Sequence, residues 1–361
     1  MNETLTAIAA TLRGLLEQHC TDKIVKSAEA GVWCEPLWTA LENAGVPLAT
    51  APERADGLGL GLAEAAFIAR IAASHAAPAP VAETLLANWL WGQAQGGPLA
   101  RVASVHIGDS HVHQTLKTGG GRSLTGVLNG IPWARHAGAV LLVLDDDEGS
   151  LLARVDPKGA RTTPRANLAD EPRDGLILEA AEVTAGNLAR LPLPVEHVAA
   201  QLALMRAAQI VGAMETCVTL TIQYANERVQ FGKPIARFQA IQHQIALMAE
   251  LVAASGVVLE QAAATAADPA RAPLIWTAKA LASEAAGQIA AIAHQVYGAM
   301  GFTRECRLHL FTRRLWAWRE ECGNENHWNE KLGALAVRQG PEGLWPWIVG
   351  ISPSGDAPAT S

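Results

Sequence analysis

An arginine placed just ahead of a glycine–proline turn is the grouping in this chain best suited to chemistry. Residues 224–250 read YANERVQFGKPIARFQAIQHQIALMAE, so Arg228 is followed by Gln230, Phe231, Gly232, Pro234 and Phe238. Gly232 and Pro234 supply a turn. A guanidinium beside it is free to reach an anion on a neighbouring surface, where its planar fork can bind two oxygens of a phosphate or carboxylate. Ile241, Ile245, Met248 and Val252 recur at helical spacing after the turn, and ALMRAAQIVGAMETCVTLTIQ reads as a helix before it. Other groupings carry less. His106, His111 and His113 in HIGDSHVH could chelate a metal from alternating strand positions, but surface histidines near a turn are the simpler expectation. GLGLG at 57–61 lacks a preceding strand, and GGGRS at 119–123 lacks the Lys-Ser/Thr of a phosphate loop. The five cysteines form no CxxC pair, so neither a zinc site nor a disulfide framework is expected.

The 224–250 segment resembles the helix-pair signature of the acyl-CoA dehydrogenase family, YAxxRxQFGxPIxxFQxxQ. A second block, QVYGAMGFTRECRLHLFTRR at 295–314, is similar to the family's QxxGGxGF. Further upstream, Ala51-Pro52-Glu53 leading to Gly57-Leu58-Gly59-Leu60 resembles its PExxGGLGL loop. The resemblance covers most of residues 1–340 and is weakest in the middle.

The resemblance implies FAD as cofactor, lying between a middle β domain and a C-terminal helical bundle, with its pyrophosphate end held by the bundle of a neighbouring subunit. Arg228 takes the place of the pyrophosphate-binding arginine, with Gln230, Phe231 and Phe238 beside it. Gln295 and Gly298 take the second contact, and Ala299 stands where the family has a second glycine. The ring contacts made within one chain are not matched: Pro132, with neither side-chain donor nor N–H, falls where a hydroxyl residue is expected, and Trp133 follows it. The family's catalytic carboxylate removes the proton α to the thioester carbonyl. Its expected position falls at Cys322, and a shift of one residue brings Glu321 there. The alternative base position, near Leu202, has no carboxylate.

The elements that must position these residues form three parts. Residues 1–98 read as helical, through LTAIAATLRGLLEQ and LAEAAFIARIAASH. Residues 99–193 carry short apolar runs, Ala139 to Leu144 and Gly175 to Leu178, between turn markers such as Gly119-Gly120-Gly121 and Asp145-Asp146-Asp147, as in a small, shortened β domain. Residues 194–341 are helical again, with segments expected at about 195–226, 236–266, 272–297 and 304–321, and 342–361 read as a disordered tail. The expected fold is therefore mainly α with a small central β domain, an acyl-CoA dehydrogenase-like α–β–α order ending in a four-helix bundle.

A net charge of −7 without a long basic run argues against a nucleic-acid surface. No uninterrupted apolar run reaches membrane-span length, no signal peptide is expected, and a reducing cytoplasm suits the cysteines. Trans-acting motifs without the cis ring contacts point to one subunit of a heteromeric α2β2 dehydrogenase. It would act on a CoA thioester, with a steroid side chain implied by the resemblance of FTRRLWAWREECGNENHW to that branch. Its partners would be a second dehydrogenase subunit and an electron-transferring flavoprotein or similar acceptor. The alternatives are a self-sufficient homotetramer using Glu321 as base and, below it, a flavin-free scaffold.

Overall fold

The computed structural model describes residues 3–94, 97–99, 102–108, 112–117, 119–146 and 149–351. It divides into two compact units, Met1–Ala199 and Ala200–Ser361. The first unit opens with helices α1 (Glu3–His19), α2 (Asp22–Glu29), α3 (Glu35–Asn43), α4 (Leu62–Ser74) and α5 (Val81–Ala94). Eight strands follow: β1 (Ala103–Ile107), β2 (His113–Leu116), β3 (Arg122–Pro132), β4 (Ala139–Asp146), β5 (Gly149–Val155), β6 (Arg161–Thr163), β7 (Arg173–Val183) and β8 (Leu188–Leu191). They form two four-stranded sheets, in the orders β1-β4-β5-β8 and β2-β3-β7-β6. Among the described residues, only β1 and β4 pair in parallel.

The apolar run on β4 follows from its place in the sheet. Ala139, Val140, Leu141, Leu142, Val143 and Leu144 are all buried, as expected of a strand covered on both faces. Helix α5 packs along β1 and β8, while β1 also meets β3 of the other sheet. Two side chains fasten α5: Thr84 donates to the Ala103 carbonyl at 3.0 Å, and Asn88 donates to that of Pro47 at 3.1 Å. The strand outlasts its sequence reading, since Asp145 and Asp146 pair with Ser150 and Gly149; Asp147 lies outside the described residues.

The second unit is helical. Helix α6 (Val195–Glu227) leads into it and ends at a hairpin of β9 (Val229–Gln230) and β10 (Lys233–Pro234). Then come α7 (Gln239–Ala264), α8 (Ala272–Tyr297), α9 (Leu308–Glu320) and α10 (Glu325–Ile351). Helix α8 is the hub, packed against α7, α9 and α10, and its Ala278, Ala282, Ala285, Ala286, Ala290 and Ala293 are buried. Small side chains let neighbouring helices approach closely, which explains the alanine-rich composition.

One expectation needs correction. The tail expected from 342 begins as helix: α10 kinks at Gly340 (φ 68°) and continues to Ile351, while 352–361 lie outside the described residues. Pro341 opens the second half of that helix, where its fixed φ and missing N–H cost nothing. Helix α7 is long and apolar enough by length and composition to cross a membrane, and 28% of its most apolar window is buried. Gln242, His243, Glu250 and Glu260 interrupt the run, which is why no continuous span is visible in the sequence.

Candidate cofactor-gripping surface

The hairpin after α6 holds its residues in a fixed, outward pose. Gln230 pairs with Lys233 and Val229 with Pro234, leaving Phe231 and Gly232 as a two-residue turn with φ of 52° and 76°. Positive φ at both central positions is the hairpin geometry that matches strand twist. Glycine adopts it freely; a phenylalanine does so at a cost of about 1–2 kcal/mol. That strain supports a side chain that is 92% exposed. Phe238 meets Phe231 edge-on at 6.1 Å, and the Lys233 ammonium lies 4.5 Å above the Phe238 ring. Gln230 is exposed and donates to the Val229 carbonyl at 2.9 Å. Arg228 is exposed, and its guanidinium makes no ion pair among the described residues. The hairpin therefore displays an available cation and an aromatic ring to something outside the unit.

The second sequence block is tied to the first by the chain's two tyrosines. Tyr224, one turn before Arg228, stacks on Tyr297 at 4.1 Å and donates to its carbonyl at 3.3 Å. Tyr297 donates back to the Leu220 carbonyl at 2.9 Å, and burial pushes its phenol up. Helix α8 ends there. Gly298 takes φ 60°, ψ −144°, a conformation open to glycine alone, and starts a short 3-10 helix, Gly298–Phe302. A Cβ on Gly298 would meet nothing within 4 Å, so its outer side is open to a ligand. Gln295 and Ala299 are exposed on the same end of the unit. An open groove of about 350 Å³ is lined there by Ala291, His294, Gln295, Gly298, Phe302 and Trp316. Sequence reasoning missed His294, Trp316 and the tyrosine pair, because their roles depend on contacts between helices.

The expected base lies in a different setting. Glu321 caps α9, and its Oε2 lies 2.7 Å from Nε of the buried Arg206. Cys322 follows in left-handed conformation at φ 56°. The turn is held from below by Lys279, which is fully buried and donates to Ser283 Oγ at 2.8 Å and to the carbonyls of Arg319 and Gly323 at 2.9 and 2.6 Å. Trp328 donates to the Cys322 carbonyl at 3.0 Å. At the alternative position, Gln201 is buried and donates to the Ala266 carbonyl at 3.2 Å. Glu321 is thus paired with a cation at a tightly bonded turn.

In the first unit, β3 ends at Pro132, and Trp133 follows buried at φ 56°. Its ring packs edge-on to Trp33 at 5.9 Å, and Trp33 stacks on His136 at 4.7 Å. Asp174, fully buried, accepts from the Arg135 N–H and Nε at 2.8 Å each and fixes this turn. His106 and His113 lie on different sheets and His111 outside the described residues, among which no three-donor metal group occurs.

A helical unit with an exposed arginine hairpin, following a unit of five helices and two sheets, has clear relatives. The family description "Acyl-CoA dehydrogenase, C-terminal domain" matches residues 197–327. The acyl-CoA dehydrogenase IpdE2 of Mycobacterium tuberculosis is 30% identical over 321 residues, 84% of this chain and 88% of that protein. The chain belongs to the acyl-CoA dehydrogenase family. Members of this family are flavoproteins, typically binding FAD, and oxidise acyl-CoA thioesters. Among solved structures, the Tcur3481-Tcur3483 steroid ACAD aligns with a TM-score of 0.84 at 23% identity, over 93% of this chain and 98% of that one. The ChsE4-ChsE5 complex of Mycobacterium tuberculosis aligns at 0.83 and 22%, over 93% and 98%. At these identities the structures establish the shared fold, and this acyl-CoA dehydrogenase resembles the subunits of the steroid-type heteromeric members.

Proposed function

We propose that this chain is one subunit of an FAD-dependent acyl-CoA dehydrogenase, lending its C-terminal helices to a flavin held mainly by a partner chain. The observation that carries the reading is the contrast between two places. The hairpin leaves the Arg228 guanidinium available and Phe231 exposed, while the turn after β3 is filled by Trp133 packed on Trp33. The first fits a dinucleotide arriving from outside; the second leaves no polar group from Pro132 for a flavin ring in the same chain.

Arg228 would bind two pyrophosphate oxygens through its fork and stay charged while doing so. Gln230, Phe231 and Phe238 would line the cofactor, Gln295 would supply an amide, and Gly298 and Ala299 would let backbone approach it. The flavin, when bound, accepts the hydride from the β carbon of the thioester. Removal of the α proton needs a carboxylate whose lone pair is free and whose proton affinity rises as water leaves. Glu321, committed to Arg206, suits that task poorly, so the base is assigned to the partner subunit.

The substrate class is a CoA thioester, with a steroid side chain as the acyl group; the steroid label of the structural relative supports this. The partner is a second dehydrogenase subunit, as in the ChsE4-ChsE5 complex. An electron-transferring flavoprotein or similar acceptor would take the electrons, in the cytoplasm. The test is turnover of a panel of acyl-CoA and steroid side-chain thioesters by the chain co-expressed with a second acyl-CoA dehydrogenase subunit from the same genome. Oxidation by the pair and none by Arg228→Ala is expected; full activity of Arg228→Ala would sink the reading.

A further inference from the structure

His294 holds one ring nitrogen 3.0 Å from Thr312 Oγ1, and both residues are buried. Its ring lies between two others, stacked on Trp316 at 5.4 Å and 10° and on Phe302 at 4.5 Å and 26°. Phe302 is 74% exposed, so it covers the outer face of the stack. The second ring nitrogen, Nδ1, is buried with no hydrogen-bond partner among the described residues. It faces Gly301, where an added Cβ would come within 3.1 Å of it and 2.9 Å of the Tyr297 Cβ. The imidazole thus anchors the C-terminal end of the Gly298–Phe302 turn, through Phe302 above and Gly301 beside it.

We infer that His294 is the positioning residue of the cofactor-gripping turn: its neutral ring, clamped between Trp316 and Phe302, fixes the pose in which Gln295 and Gly298 meet the flavin. The inference rests on the proposed flavin-binding role of this surface. In this reading His294 acts through the turn, as a positioning residue.

Protonation would undo the arrangement. An imidazolium carries two N–H donors, and Nδ1 has no acceptor to receive the second. The ring meets Thr312 and Trp316 from α9 and Gly301 and Phe302 from the turn, and burial alone lowers its proton affinity below the ordinary histidine value. A lowered value means that the neutral, clamped form is complete above the ordinary range and is lost as pH falls through the lowered one. The hold on flavin should therefore weaken in acid, at a pH below the ordinary histidine range.

The test is FAD release from the co-purified two-subunit complex, followed by flavin fluorescence from pH 5 to 8. Four variants of this chain are compared: His294→Ala, His294→Phe, Phe302→Ala and Arg228→Ala. At pH 7.5 we expect His294→Ala and Phe302→Ala to bind FAD roughly tenfold more weakly, about 1.4 kcal/mol. Phe302→Ala removes only the exposed outer ring, so it reports on the stack even where His294→Ala disturbs folding. His294→Phe keeps the stack and cannot titrate, so it should hold FAD at both ends of the range, while the wild type loses it in acid. If Arg228→Ala sheds flavin but Phe302→Ala holds it as the wild type does, or His294→Phe keeps the wild-type pH profile, the role of His294 is overturned alone. Retention of flavin by Arg228→Ala as well would overturn the binding surface on which the inference rests.

Discussion

Lys279 shows how a single residue can be both a cost and a constraint. Buried among α8, α9 and the turn at Gly323, it donates to three oxygens, and burial pushes its ammonium down to about 8. Its unfolded value is near 10.4, so the stabilising contribution is complete above that and is lost as pH falls through 8. Lys279→Met carries no such titration. Between pH 8 and 10.4 the wild type should gain on this variant by an amount on the order of 3 kcal/mol. Urea unfolding of both proteins at pH 7.5 and 10 checks this; a difference independent of pH would refute it. None of this was legible in the sequence, where Lys279 is one of seven lysines. The pairing of Arg206 with Glu321 was equally hidden, since it joins positions far apart in the chain. Arg228 could be recognised because its role needs only a charge beside a turn, and that is local information.

At the scale of elements, the hairpin between α6 and α7 trades backbone comfort for display. Phe231 at φ 52° is strained, and an exposed ring gains nothing from burial in its own unit. Phe231→Gly should therefore leave the melting temperature unchanged or raise it, by the equivalent of about 1 kcal/mol, while weakening flavin retention by the complex. A fall in melting temperature would show that the ring supports its own unit instead. The long helices were legible to within a few residues: α8 was expected at 272–297 and runs Ala272–Tyr297, and α6, expected at 195–226, runs Val195–Glu227. Periodicity and turn residues carry that much. A fifth long helix, α10, was not among the segments expected, and its continuation past Gly340 was hidden because glycine followed by proline marks a stop and also a kink followed by a new start. In the second unit, only packing shows that Gly301 abuts His294.

Over the whole molecule, exposed apolar surface argues for assembly. Leu247 and Val257 on α7 and Val337, Trp345 and Val349 on α10 are exposed, and most of α7's apolar window is uncovered. Surface of this kind marks interaction sites in soluble proteins. Leu247→Glu together with Val257→Glu should reduce association with the partner subunit in sedimentation experiments while leaving the helical circular-dichroism signal intact; unchanged association would mean that α7 is not at the interface. The central claim is narrower than family membership: this chain grips a flavin that another chain carries. Counting flavin by absorbance in the chain purified alone, and again with its partner subunit, tests that claim most directly. The account predicts a colourless chain alone and roughly one FAD per pair of chains in the complex, following the two-component reading. One FAD per chain in the protein purified alone would contradict it.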